Sequence, residues 1–83
     1  INSADALITL PGGSGTLEEL LEAITLKRLG LHTLPIFIVN TKGYFNPLLE
    51  MLEKAIAEGF LNQDHRELYT VVVQPKDLAF YMD

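Results

Sequence analysis

The stretch Pro11-Gly12-Gly13-Ser14-Gly15-Thr16-Leu17-Glu18-Glu19 decides how this chain folds, because it joins two runs of different periodicity. Before it lies the short apolar run Ala6-Leu7-Ile8-Thr9-Leu10, and after it come the helix-spaced positions Leu17, Leu20, Leu21 and Ile24. An apolar run, a glycine-rich bend and an amphipathic run together read as a buried parallel strand turning into a helix. Such a bend leaves backbone N–H groups converging on one spot, and the positive end of the helix dipole makes that spot attractive to an anion. Three glycines in the four positions 12–15 let the main chain approach a phosphate with no Cβ in the way. The bend then runs into Glu18 and Glu19, where a P-loop would carry lysine followed by serine or threonine. A phosphate cradle beside a carboxylate suits chemistry on the sugar of a nucleotide rather than on its phosphates.

Outward from the bend, strand and helix signals alternate. The first strand is expected over roughly Asp5 to Leu10. Thr16 is a good N-cap for the helix that follows, and Glu19 three residues later completes a capping-box pattern. That helix should run to about Leu29, with Gly30 as its stop. Pro35 opens a second strand, Ile36-Phe37-Ile38-Val39, and Asn40 to Tyr44 forms a loop. Asn46 as N-cap and Pro47 at the first helical position announce a second helix, with apolar positions Leu48, Leu49, Leu52, Ala55 and Ile56 and a stop at Gly59. Asp64 to Leu68 reads as a short helical turn, Tyr69 to Val73 as a third strand and Lys76 to Met82 as a terminal helix. The fold class is therefore α/β, a parallel sheet with helices on both faces.

In such sheets ligands bind outside the carboxyl ends of the strands. Here those ends are the glycine bend, the Asn40–Tyr44 loop and Gln74-Pro75, all on one rim. Three strands leave a sheet edge open, which calls for upstream elements or a partner chain, and residues 1–83 are expected to be the C-terminal βαβαβα portion of one larger domain, with upstream strands missing. On the first helix, Leu26 lies nearly opposite the Leu17–Leu20–Leu21–Ile24 stripe and Leu29 well away from it. A helix with two apolar sides is expected to meet a second layer or another subunit.

Composition narrows the function. Six basic residues against eleven acidic ones give a net charge of −5, with no basic cluster, which argues against a nucleic-acid partner. A backbone cradle still holds a phosphate on an acidic protein, because N–H groups act locally. Cysteine is absent, which excludes disulfides and thiolate metal sites. No apolar run approaches a membrane span and no signal-peptide pattern is visible, so no membrane partner and a cytoplasmic location are expected. His32 and His65 have no metal-ligand spacing and read as loop residues.

The whole string Pro-Gly-Gly-x-Gly-Thr-x-x-Glu resembles the signature of the Lonely Guy family, cytokinin-activating nucleoside 5′-monophosphate phosphoribohydrolases with a Rossmann-like fold. The similarity continues through Leu20-Leu21-Glu22-Ala23-Ile24-Thr25, Leu29-Gly30-Leu31-His32, Gly43-Tyr44-Phe45-Asn46-Pro47-Leu48-Leu49 and Ala55-Ile56-Ala57-Glu58-Gly59-Phe60. It corresponds to the C-terminal half of a typical member. The resemblance implies a single Rossmann-like nucleotide-binding domain that hydrolyses the N-glycosidic bond of a nucleoside monophosphate, AMP or an N6-modified AMP. It implies no cofactor and no metal, and a homodimer or higher homo-oligomer is the expected assembly. Glu19 occupies the family's catalytic glutamate position, and Gly12, Gly13, Ser14, Gly15 and Thr16 would hold the 5′-phosphate. Ser14 stands at the variable position of the motif. Thr25 matches a substrate-contact position.

Each of these residues also has a structural reading. Glu19 and Thr16 are members of a capping box. Glu18 either binds a ribose hydroxyl or is a solvated first-turn carboxylate favoured by the helix dipole. Thr25 is otherwise a small residue at a helix contact. Asn40, Lys42 and Tyr44 follow a strand's carboxyl end, where they either line the pocket or, the preferred reading, are loop structure. The sequence departs from the family in two respects. The family's catalytic arginine and its basic neighbour lie upstream of Ile1, so this chain alone is expected to lack activity. Leu26 and Arg28 stand where many members carry tryptophan and glutamine, near the subunit contact and the pocket for the base, which leaves the preferred base open. Two other functions remain in view. One is a carrier that binds a nucleotide or cofactor with the same loop and has no use for Glu19. The other is the lysine decarboxylase label often attached to the family, for which Lys27, Lys42, Lys54 and Lys76 offer no recognisable Schiff-base setting.

Overall fold

The computed structural model describes residues 6–81. Three short parallel strands, β1 (Leu7–Thr9), β2 (Ile36–Val39) and β3 (Thr70–Val72), form one sheet in the order β1-β2-β3. Helix α1 (Ser14–Arg28) follows β1 and helix α2 (Asn46–Ala57) follows β2, with 3-10 segments at Thr41–Gly43, Gln63–Leu68 and Pro75–Phe80. The alternation read from the sequence is the architecture.

The centre of the sheet is β2, whose four residues are all buried. Alternation along it sorts the core onto two faces. Ile36 and Ile38 pack with Leu20 and Ile24 of α1, with Phe45, and with Leu48 and Leu49 of α2. Phe37 and Val39 point the other way, toward Val72 of β3 and Leu78 of the terminal segment. There the Tyr81 ring tilts against Phe37, with centroids 5.2 Å apart. Both α-helices thus cover one face, and the last 3-10 segment covers the other. Each fully buried aliphatic or aromatic side chain contributes about 1.5–3 kcal/mol, which is why an entirely apolar strand occupies the middle.

The helix stops fall at the predicted glycines. Gly30 adopts φ +81°, its N–H donates to the Lys27 carbonyl (3.0 Å), and Leu31 N–H reaches back to Leu26 (2.9 Å). Gly59 repeats the motif at φ +84°, donating to Ile56 (3.1 Å), while Phe60 N–H reaches Ala55 (2.8 Å). Both are Schellman closures, which need a left-handed residue at this point.

The helix starts depart from expectation. The cap of α1 is Gly13, and Leu17 N–H donates to its carbonyl at 3.1 Å. Thr16 is therefore the third helical residue rather than the N-cap, and Glu19 lies too far along to close a capping box. Glycine is only a few tenths of a kcal/mol poorer than serine or threonine as a cap. Starting earlier adds hydrogen bonds that outweigh so small a loss. In α2 the cap is Phe45; Asn46 is the first helical residue and Pro47 follows it. Leu21, a member of the apolar stripe, is 40% exposed, because the face turned inward is centred on Leu20 and Ile24, and Leu21 sits about 100° round from Leu20. Strands β1 and β3 are each shorter than read, and the terminal helix is a 3-10 segment beginning at Pro75. The expected extensions to Asp5 and Met82 lie outside the described residues. Among the described residues, no helix is long and apolar enough to cross a membrane.

His65 is not a solvated loop residue. It lies within the 3-10 segment Gln63–Leu68, is 7% exposed, and its buried Nδ1 has no partner among the described residues. Burial, joined by the charge of Arg28 and opposed by Asp64, holds its pKa below the 6.5 of a free imidazole. The unfolded chain therefore takes up this proton more readily than the folded one. The stability that His65 contributes is complete above about pH 6.5 and is lost as the pH falls from there through the lower folded value. Urea unfolding of the protein between pH 7.5 and 5 should show stability declining on acidification, with this one group contributing at most about 1.4 kcal/mol per pH unit. His65→Leu should flatten that part of the profile, and an unchanged slope would remove His65 as its source.

Candidate functional site

The carboxyl ends of β1 and β2 lead directly into the glycine bend and the 40–44 turn, so both lie on the rim where parallel sheets hold ligands. Within the bend the three glycines have different reasons to be glycine. A Cβ built on Gly12 would stand 2.3 Å from Thr16 Oγ1 and 3.0 Å from Thr16 Cβ, so a side chain there would have to displace that of Thr16. A Cβ on Gly13 or Gly15 would meet nothing within 4 Å, and neither residue has a positive φ. Nothing in the described chain demands glycine at these two positions. They keep open a space outside the chain. Gly13, Ser14 and Gly15 are all exposed, so the bend is accessible.

Among the described residues, the first N–H groups of the helix lack partners. Because α1 begins at Ser14, the amides of Gly13, Ser14, Gly15 and Thr16 have no intrahelical acceptor, and among the described residues no other protein acceptor takes them. No side chain caps the helix either. An anion at the bend would satisfy donors that the protein itself leaves free.

Helix periodicity then divides the remaining predicted residues. Thr16 and Glu19 share a stripe with Ala23 and Leu26, and all four line a groove of about 890 Å³ between α1, β1 and the segment 31–34. Leu10 and Pro11 form the end of that groove nearest the bend. Glu19 is exposed, free of any capping duty, and stands one helical turn beyond Thr16. Glu22, which sequence reading did not single out, lines the same groove. Ser14, Glu18 and Thr25 lie on a different face of α1, all exposed, beside Leu21 (40% exposed) and Leu29 (58%). The structure thus puts Thr16 and Glu19 in one groove, with Gly12 against the Thr16 side chain, while Gly13 and Gly15 lie outside the groove lining and Glu18 and Thr25 are on another face of the helix.

The 40–44 turn is more ordered than a connecting loop. Asn40 N–H donates to Val72 of β3 (2.8 Å), and the Asn40 carbonyl accepts from Gly43 N–H (3.0 Å). The Asn40 side-chain oxygen accepts from Phe45 N–H (2.6 Å), while its amide nitrogen donates to the Asn46 side chain (2.8 Å). One asparagine thereby ties together two strands, the turn and the start of α2. Lys42 and Gly43 both take left-handed backbone conformations, at φ +54° and +71°. The Tyr44 hydroxyl donates to the carbonyl of Gly12 across the rim. Residue order gave no sign of that contact; only the shared rim of two strand ends hinted at it. His32 is likewise structural. Its Nε2 donates to the Ala23 carbonyl (2.9 Å) and its Nδ1 accepts from Leu34 N–H (3.2 Å), which occupies both ring nitrogens.

Comparison with known proteins agrees with the motif. A family model described as "Possible lysine decarboxylase" matches residues 1–82. The cytokinin riboside 5′-monophosphate phosphoribohydrolase LOG3 of Arabidopsis thaliana is 48% identical over 76 residues, covering 92% of this chain and 35% of that protein. The cytokinin riboside 5′-monophosphate phosphoribohydrolase LOG of Oryza sativa subsp. japonica is 41% identical over 80 residues, covering 96% of this chain and 33% of that protein. The chain spans about a third of the length of the curated relatives it matches. The match runs over nearly the whole chain, and the chain belongs to the Lonely Guy family, the one that the lysine decarboxylase description covers.

Proposed function

We propose that the protein to which this chain belongs hydrolyses the N-glycosidic bond of a nucleoside 5′-monophosphate, AMP or an N6-modified AMP, to free base and ribose 5-phosphate. The observation that carries this reading is the set of four amides that have no partner among the described residues, at an open glycine bend, with Glu19 one helical turn beyond Thr16 in the adjoining groove. The 5′-phosphate sits on the amides of Gly13, Ser14, Gly15 and Thr16 and fixes the ribose beside α1. The C1′–N bond breaks, a water oxygen bonds to C1′, and the base leaves with a proton. The sugar passes through an oxocarbenium-like state, and the Glu19 carboxylate stabilises that positive charge and orients the water. The relatives' printed names support the same class of reaction.

A pyridoxal-phosphate reaction, which the decarboxylase description implies, does not fit the residues present. Lys42, Lys54 and Lys76 are exposed, and Lys27 lines a small separate cleft with Arg28 and His65; none lines the groove beside the glycine bend. A second copy of the chain is the partner this reading favours, on the face of α1 that exposes Leu21 and Leu29.

In the full-length protein, Glu19→Gln should cut kcat for release of adenine from AMP by about 10²-fold or more while AMP binding measured by calorimetry persists. A rate within a few fold of the parent protein would remove Glu19 from the chemistry and favour a carrier. The cradle has its own test. Gly15→Ala should leave the protein as stable or raise stability by up to about 1 kcal/mol, yet weaken AMP binding, whereas Gly12→Ala should lower both. Denaturant midpoints and AMP affinities separate these outcomes, and undiminished AMP affinity in Gly15→Ala would place the phosphate elsewhere.

A further inference from the structure

The geometry points to Tyr44 as a positioning residue for the phosphate cradle, acting through the Gly12 carbonyl rather than by touching the substrate. The inference rests on the reading of the glycine bend as the seat of a 5′-phosphate. Gly12 stands four residues before Thr16, so its carbonyl is the acceptor that would extend α1 backward by one hydrogen bond. The extension does not occur: the first such bond is Leu17 N–H to Gly13, and the Gly12 carbonyl accepts instead from the Tyr44 hydroxyl. Two consequences follow from peptide geometry. The Thr16 amide loses its natural helical acceptor and stays free for a ligand. The peptide between Gly12 and Gly13 is planar and trans, so fixing its carbonyl toward Tyr44 directs the Gly13 N–H the opposite way.

Tyr44 is itself held firmly enough to do this. Its ring packs edge-on against Phe45, with centroids 5.1 Å apart, and Phe45 is 1% exposed in the core below the sheet's helical face. The backbone leading to it passes through the left-handed Gly43, where a Cβ would stand 2.7 Å from the Asn46 side-chain nitrogen. Tyr44 N–H donates to the Thr41 carbonyl at 3.0 Å, closing the turn. The hydroxyl is thus delivered to the bend by a rigid turn pinned to β3 and α2 through Asn40. Glycines leave the bend the freedom to collapse into one more helical bond, and the Tyr44 hydroxyl holds it out of that conformation. Preorganisation of this kind lowers the cost of ordering the cradle when the anion arrives.

The test is Tyr44→Phe in the full-length protein, which keeps the half-exposed ring and removes only the donor. The KM for AMP and the inhibition constants of ribose 5-phosphate and inorganic phosphate should all rise together, by about threefold to tenfold, the worth of one hydrogen bond. Inhibition by free adenine should not move, nor should the melting temperature by more than a degree or two. Tyr44→Leu, which discards the ring as well, should show the same phosphate-selective loss. If phosphate and adenine affinities fall equally, or the melting temperature falls while phosphate affinity holds, Tyr44 is a structural residue and the inference is overturned. It is also overturned if Tyr44→Phe binds all three phosphate ligands as the parent does. Failure of the parent protein itself to bind AMP or ribose 5-phosphate would instead sink the functional reading on which the inference stands.

Discussion

A helix that starts inside a glycine bend leaves its first amides without acceptors, and the rest of this site follows from where that deficit falls. The deficit is at the carboxyl end of β1, on the rim of a parallel sheet whose second strand ends alongside. Water alone would satisfy such amides in a simple surface helix. Here the neighbouring carbonyl that might have relieved one of them is committed to Tyr44, and no serine, threonine or aspartate side chain caps the end. An anion at the bend would meet those amide donors directly, and the helix dipole would add to that preference rather than create it. The acidic balance of the chain does not oppose this, because the amides act over a few ångströms while the carboxylates along α1 and α2 are solvated and screened.

The sheet supplies the rigidity that such a cradle needs. Four consecutive buried residues in β2 leave that strand no alternative register, since a shift by one would exchange Ile36 and Ile38 with Phe37 and Val39 between two differently shaped faces. With β2 fixed, the turn that follows it is fixed too, and through Asn40 so are β3 and the start of α2. The chain of constraint runs from an apolar strand to an asparagine, to a tyrosine hydroxyl and finally to a glycine carbonyl on the opposite side of the rim.

What the sequence disclosed, and what it withheld, divides along physical lines. Strand and helix order, both glycine stops and the buried β2 were legible, because each rests on a local rule with a large energy behind it: apolar burial or a left-handed backbone. Helix starts were not. Thr16 and Asn46 are better cappers than Gly13 and Phe45, but differences of a few tenths of a kcal/mol to about 1 kcal/mol are easily overridden by an added turn of helix. That misplacement mattered for function, since it tied Glu19 to a capping box it does not make. The exposure of Leu21 was not legible either, because a stripe read from spacing alone has no fixed centre until the sheet defines one. The hydrogen bond from Tyr44 to Gly12 spans 32 positions of sequence, and no pattern announces a contact between a side-chain tip and a distant carbonyl.

Helix α1 shows how one element serves several demands without compromise among them. Leu20 and Ile24 anchor it to the sheet, Thr16 and Glu19 face the groove beside β1, and Ser14, Glu18, Leu21, Thr25 and Leu29 form a third, exposed face. Because about 100° separates successive residues, a substitution on one stripe leaves the other two geometrically intact. Thr16 is the exception, since it also packs its hydroxyl against Gly12 and so belongs to both the bend and the groove. Thr16 is therefore the residue through which the glycine bend and the groove lined by Glu19 are coupled.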